Sequence, residues 1–161
     1  VRKLPVLFIC ENNLYSVYSP LSVRQPANRV ISDMVSSIGI KSFKDESNDI
    51  LKFYQTLNST IGSVRSGGGP RFLEFNTYRW REHCGPEYDN HLKYRTEEEV
   101  QWWQENDPMK KIANRLDPST IQEITNEVDQ EIETSFRFAE ESPFPPTSSA
   151  YEGIYAVPET R

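Results

Sequence analysis

The run Leu4-Pro5-Val6-Leu7-Phe8-Ile9-Cys10 is apolar nearly throughout and does not alternate. A strand with one wet face alternates; an unbroken apolar run fits a strand of a parallel sheet covered on both faces. Such a strand needs neighbours on either side. The chain is therefore expected to be the second part of a larger domain, with the first strands of the sheet supplied from elsewhere.

Beyond this run the chain alternates between two periodicities. After a polar loop from Glu11 to Pro26, the positions Val30, Ile31, Met34, Val35 and Ile38 have helical spacing, and Gly39 offers a C-terminal cap. Ile40-Lys41-Ser42-Phe43 reads as a short strand. Ser47 or Asn48 then caps a longer helix with the stripe Ile50, Tyr54, Leu57, Ile61 and Val64. Gly67-Gly68-Gly69-Pro70 ends it, and a strand from Arg71 to Tyr78 comes next. Strand, helix, strand, helix, strand is the α/β pattern, a parallel sheet flanked by helices.

The remainder is helical. Trp80 to Tyr94 is a polar, irregular stretch broken by Gly85-Pro86, and a loop of that length is more often functional than filler. Thr96 with Glu97 to Glu99 has the composition of a helix start, and Asp107-Pro108 starts another. Within the first of these, Trp102 and Trp103 are adjacent, so one is expected to pack inward and the other to cover a neighbouring surface. A last helix, from about Ser119 to Glu140, carries Ile121, Ile124, Val128, Ile132 and Phe136 on one stripe. The expected organisation is residues 1–95 as α/β domain, 96–141 as helical extension, and 142–161 as a proline-rich tail docking on a surface or partner through Tyr151, Ile154 and Tyr155.

Composition narrows the function. No run approaches the ~18 apolar residues of a membrane-spanning helix, and a net charge of −6 disfavours general binding to nucleic acid or anionic membrane. Neither partner is expected, and the substrate is expected to be small. The 2 cysteines, Cys10 and Cys84, argue against a disulfide framework and suit a reducing compartment, the cytoplasm or, in a eukaryote, the mitochondrial matrix.

Few residues invite chemistry. Glu11-Asn12-Asn13 stands where the first strand ends, and in open α/β sheets ligands collect at the carboxyl ends of strands. An Asn amide oxygen suits Mg²⁺ or Ca²⁺, although Asn-Asn after a strand is also the ordinary chemistry of a turn. His83, among Arg79, Arg81 and Glu82, has the neighbours to meet a phosphate or polarise a substrate oxygen; a solvated loop histidine is the alternative. The triple glycine lacks the Gly-Lys-Ser/Thr of a phosphate loop and leads into a strand, so it is a connector.

Taken in order, Leu4 to Tyr15, Gly67-Gly68-Gly69-Pro70, Phe75-Asn76-Thr77-Tyr78-Arg79-Trp80, Tyr94-Arg95-Thr96-Glu97-Glu98-Glu99-Val100 and Asn106-Asp107-Pro108 resemble a known pattern. It is the C-terminal half of the alpha subunit of thiamine diphosphate-dependent 2-oxo acid dehydrogenases, the pyruvate, branched-chain and acetoin type. The resemblance runs from Leu4 to about Tyr155. It implies a partial thiamine diphosphate-binding α/β fold with a C-terminal helical extension. It also implies an enzyme that decarboxylates a 2-oxo acid and passes the acyl group to a lipoyl carrier, with thiamine diphosphate and Mg²⁺ as cofactors.

The same resemblance assigns residues. Asn13 supplies a side-chain oxygen and Tyr15 a backbone carbonyl to Mg²⁺, and His83 approaches the cofactor diphosphate at the active-site mouth, as cofactor-binding and catalytic residue. The Gly-Asp-Gly that opens the cofactor motif is absent from the chain. It is expected on a missing N-terminal alpha segment or another polypeptide, and a beta-type subunit is expected to complete the site. Trp80-Arg81-Glu82-His83-Cys84 departs from the pyruvate-type His-Gly-His-Ser, with Cys84 in place of the regulatory serine, so kinase control there is not expected and the 2-oxo acid stays open. Two alternatives accompany this reading: a thiamine-dependent decarboxylase or carboligase without lipoyl transfer, and a non-catalytic assembly module retaining the fold.

Overall fold

The computed structural model describes residues 2–155. The chain forms two compact units, Val1–Arg115 and Leu116–Arg161. The last stretch of the expected tail, residues 156–161, lies outside the described residues.

In the first unit, β1 (Leu7–Asn12), β4 (Lys41–Asp45) and β5 (Arg71–Asn76) make a 3-stranded parallel sheet in the order β1-β5-β4. Between β1 and β4 lie α1 (Leu21–Arg24) and α2 (Ile31–Ser37), and between β4 and β5 lies α3 (Ile50–Ser63). The mixed α/β architecture expected from the sequence is present.

The centre of the sheet is β5, not the apolar run that opens the chain. Leu73, Glu74 and Phe75 are buried in succession, which requires cover on both faces. By contrast β1 is an edge strand among the described residues, and Phe8 and Ile9 are 48% and 46% exposed. An unbroken apolar run reports that both faces need cover; it does not say that the cover lies within reach of this chain. The strand also starts later than expected, because Lys3 has φ 48 and a turn brings Val6 N–H to the Leu4 carbonyl at 2.9 Å.

Local chemistry explains the other shifts. α3 is capped by Asp49, whose carboxylate accepts the Leu51 and Lys52 N–H groups at 3.0 and 3.3 Å, and not by Ser47 or Asn48. Asn48 has φ 51, and its amide reaches across to the Asn106 carbonyl at 2.9 Å. Along α3, Tyr54 is exposed at 64%. Phe53 takes its place on the inner face, edge-on to Phe75 with centroids 4.1 Å apart. The glycine connector is one: Val64–Gly68 is a wide helical turn, Gly67 and Gly69 have φ 80 and 79, and Arg71 donates to the Gly68 and Pro70 carbonyls.

The loop expected from Glu11 to Pro26 holds more structure than its composition suggests. β2 (Tyr15–Ser16) and β3 (Ser19–Pro20) form a minimal hairpin directly after β1. Beyond β5, α4 (Glu97–Glu105) starts at Thr96, whose hydroxyl accepts the Glu99 N–H at 3.1 Å, and α5 (Pro108–Ala113) starts at Asp107. Trp103 is buried, with its ring stacked on Tyr78 at 5.1 Å, while Trp102 stays outside.

The second unit is built on α6 (Pro118–Glu141), close to the expected bounds, with Asp117 as its cap. The Asp117 carboxylate accepts from Ser119 and Thr120, which holds it well below the usual carboxylate range. Ile124, Val128, Ile132 and Phe136 line an exposed apolar stripe.

Candidate functional site

The sheet delivers its chemistry at the carboxyl ends of β1 and β5, where Asn12 pairs with Asn76 in register. Two overlapping side-chain turns come directly after. Asn12 Oδ1 accepts the Leu14 N–H at 3.1 Å, and Asn13 Oδ1 accepts the Tyr15 N–H at 3.0 Å. Leu14 sits at φ 65, in the left-handed region that a residue with a Cβ enters at a cost.

The consequence is a preset pair of oxygens. Leu21 N–H donates to the Leu14 carbonyl at 2.8 Å, so the next pair along the hairpin, Tyr15 and Pro20, is one whose backbone groups turn away from each other. Pro20 in any case has no N–H to give. The Tyr15 carbonyl is thus turned out of the hairpin, on the side where its N–H meets Asn13 Oδ1. A neutral amide oxygen with a spare lone pair and a free carbonyl are hard donors of the kind Mg²⁺ takes. These residues fit a share of a divalent-cation site, and among the described residues no group of three or more His, Cys, Asp or Glu is placed to hold a metal ion.

Beneath the turn lies Glu74, only 1% exposed in the central strand. Its Oε1 accepts from Asn12 Nδ2 at 2.8 Å, and its Oε2 accepts the Ser32 N–H of α2 at 2.9 Å. Above it, the Tyr15 hydroxyl donates to the Glu99 carboxylate at 2.7 and 2.9 Å. Burial first and the Glu99 carboxylate second push the Tyr15 phenol far up from its ordinary value. The Tyr94 ring meets Tyr15 and Tyr18 edge-on, with centroids 5.5 and 5.3 Å away.

A second buried carboxylate organises the loop between β5 and α4. Asp89, also 1% exposed, is paired with Arg95 and accepts the Tyr94 hydroxyl at 2.8 Å. Arg95 in turn donates to the Arg79 carbonyl and to Asn90 Oδ1. Arg79 is the link between loops: its guanidinium donates to the Val17 carbonyl of the hairpin turn at 3.1 Å and to the Arg81 carbonyl at 2.6 Å. Burial pushes the Tyr78 phenol up to about 12 despite the nearby Arg95.

His83 lies in that loop, exposed, with no side-chain hydrogen bond to any described residue. Around it, Arg81 lies over the Tyr88 ring at 4.0 Å and donates to the Pro86 carbonyl at 2.8 Å. The structure therefore brings Asn13 and Tyr15 together in one turn and ties the loop of His83 to the next turn through Arg79. No hydrogen bond joins His83 to either residue. A separate cavity of about 300 Å³ opens at the strand ends, lined by Glu11, Asp45, Asp49, Phe53, Phe75 and Asn76, and the three sequence-assigned residues are not in its wall. Cys10 and Cys84 are both free thiols.

Sequence reasoning passed over Glu74, Asp89 and Arg95. The one available signal was a glutamate in the middle of the strand Phe72-Leu73-Glu74-Phe75, which an alternating pattern assigns to a wet face. Asp89 sits in an irregular stretch where spacing carries no message, and Arg95 lies just beyond it in the Tyr94 to Val100 segment, where the resemblance assigns it no role.

In open α/β sheets ligands bind outside the carboxyl ends of the strands, which is where the Asn12-Asn13 turn lies. The chain belongs to the family described as Dehydrogenase E1 component, which matches residues 1–148. It is similar to a pyruvate dehydrogenase E1 component subunit alpha of Rickettsia bellii, 32% identical over 158 residues, covering 94% of this chain and 47% of that protein. It is also similar to two proteins of Bacillus subtilis. One is the alpha subunit of acetoin:2,6-dichlorophenolindophenol oxidoreductase, 30% identical, covering 96% of this chain and 47% of that protein. The other is the 2-oxoisovalerate dehydrogenase subunit alpha, 31% identical, covering 97% of this chain and 48% of that protein. The chain spans about half the length of these curated relatives.

Proposed function

We propose that this chain is the alpha-type portion of a thiamine diphosphate-dependent dehydrogenase that decarboxylates a 2-oxo acid and hands the acyl group to a lipoyl carrier. The observation that carries the reading is the Asn13-Leu14-Tyr15 turn. It holds an amide oxygen and an outward carbonyl on one side of the carboxyl end of β1, a pair of hard donors that would hold Mg²⁺. The chemistry that thiamine diphosphate supplies when bound is a nucleophilic carbon for the 2-oxo group and a sink for the electron pair that decarboxylation releases.

The chain's own residues bind and orient. Asn13 and Tyr15 would hold the cation, and Glu99 accepts from the Tyr15 hydroxyl and so restrains that residue. In this reading His83, exposed and without a side-chain hydrogen bond among the described residues, would donate a hydrogen bond to the diphosphate or to a substrate oxygen. The partners in this reading are an alpha segment carrying the Gly-Asp-Gly motif, a beta-type subunit completing the site, and the lipoyl carrier. The exposed side chains Phe8 and Ile9, one on each face of β1, suit the first of these. A reducing compartment, the cytoplasm or the mitochondrial matrix, is the setting proposed with it.

The test is titration of thiamine diphosphate into the reconstituted assembly with and without Mg²⁺, for the native chain and Asn13→Ala. Native binding is expected to depend on Mg²⁺, and the variant is expected to lose at least about 1.5–3 kcal/mol of it, the worth of a contact to a charged partner. Equal affinities would remove Asn13 from the cation. Turnover without acyl transfer to any lipoyl carrier would move the protein to the carboligases.

A further inference from the structure

We propose that Glu74 is a positioning residue for the divalent cation, setting the turn that presents Asn13 Oδ1 and the Tyr15 carbonyl; the proposal rests on the reading of those two residues given above. Burial alone does not account for a glutamate here. An apolar side chain would cover the centre of the sheet equally well, and a buried carboxylate is costly unless it is paired and fully hydrogen-bonded. Among the described residues no cationic side chain lies within ion-pair distance of Glu74. Its partners are two neutral donors, Asn12 Nδ2 and the Ser32 N–H.

Those partners show what the carboxylate does. Asn12 is held at both ends of its amide, with Nδ2 on Glu74 and Oδ1 on the Leu14 N–H, so the amide has one orientation. That orientation supports Leu14 in its left-handed conformation at φ 65, and the backbone of Leu14 sets the Tyr15 N–H on Asn13 Oδ1. The order of dependence runs from Glu74 through Asn12 and Leu14 to the two oxygens. The other carboxylate oxygen fastens this arrangement to α2. Only an acceptor at both ends satisfies both donors; a glutamine turns its NH₂ toward one of them whichever way it lies.

This complementarity gives a reversal experiment. In Glu74→Gln the turn loses its restraint. In the double variant Glu74→Gln/Asn12→Asp, the new amide NH₂ at position 74 donates to one oxygen of the new carboxylate at position 12. The other oxygen of that carboxylate accepts the Leu14 N–H, and the amide oxygen at position 74 keeps the Ser32 N–H. Magnesium chloride is titrated into the full assembly at fixed thiamine diphosphate, followed by calorimetry, with cofactor binding without Mg²⁺ and melting of the cofactor-free assembly recorded alongside. The Mg²⁺ requirement is expected to rise roughly tenfold in Glu74→Gln and to return to within about threefold of native in the double variant, with Mg²⁺-free binding unmoved. Asn12→Ser keeps a short acceptor for Leu14 but does not reach Glu74. It is expected to raise the requirement likewise, and it carries the test if Glu74→Gln does not assemble.

An unchanged requirement in Glu74→Gln or Asn12→Ser, or a double variant that is not restored, overturns the positioning role; so does an equal loss with and without Mg²⁺, which marks a structural residue. If Asn13→Ala still removes the Mg²⁺ dependence in those cases, the cation reading stands without Glu74. If Asn13→Ala changes nothing, both fall together.

Discussion

At the scale of single residues, the first unit is organised by buried acids rather than by its modest set of buried apolar side chains. Asp45 at the end of β4 shows how. Its side chain is 4% exposed, it accepts the Ser47 N–H at 2.7 Å, and Lys52 lies 2.9 Å away. Burial works to raise its pKa, but the Ser47 hydrogen bonds and then Lys52 outweigh it, and the group ends below the usual carboxylate value. A folded-state value below the unfolded one means that the stabilisation is complete above the unfolded pKa of about 3.9 and is lost as pH falls through the folded value. Asp45→Asn is therefore expected to cost about 1–3 kcal/mol at neutral pH and to flatten the fall in melting temperature below about pH 4. A melting series across pH 2–7 checks both, and parallel curves for variant and native chain would contradict the assignment.

Among the elements, α4 depends on which of two adjacent tryptophans faces inward. Trp103 is 8% exposed and stacks on Tyr78, whereas Trp102 is 52% exposed and meets Trp103 edge-on. Trp103→Ala is expected to destabilise the chain by about 3–5 kcal/mol and Trp102→Ala by under about 1 kcal/mol, read from denaturant midpoints. Helices like this were legible because caps and periodicity are local: Thr96, Asp107 and Gly39 do what their residue types dictate. Where two local solutions compete, the pattern did not decide. Phe53 and Tyr54 both continue a helical stripe from Ile50, and packing against Phe75 selected Phe53. The hairpin Tyr15–Pro20 left no trace because its left-handed turn residue is Val17, at φ 58, where a glycine or asparagine would have announced it. For the candidate site, Asn13 and Tyr15 are assigned by a resemblance in order and spacing, while Glu74 is not. Its role is to satisfy two donors from other elements, and no sequence interval encodes that.

At the scale of the whole molecule, the open side of β1 and the half-length match to its relatives bear on how the proposed role of His83 should be tested. An exposed histidine that makes no side-chain hydrogen bond to any described residue has few contacts to lose, so its replacement separates function from stability more cleanly than that of a residue in the Asn13 turn. Its loop is set from below instead. Asp89, Arg95 and Arg79 fix the ends of the Trp80 to Tyr94 stretch, and Arg79 joins it to the hairpin turn beside the proposed cation ligands. His83→Ala should therefore leave the melting temperature of the assembly within the equivalent of about 0.5 kcal/mol. Turnover of the reconstituted enzyme is expected to fall by about 10²-fold or more, the usual contribution of a placed proton donor or acceptor. Arg79 provides the contrast, since its removal would loosen both loops together. Turnover and melting that fall in proportion in His83→Ala would identify a structural histidine and leave the mouth of the site to other residues.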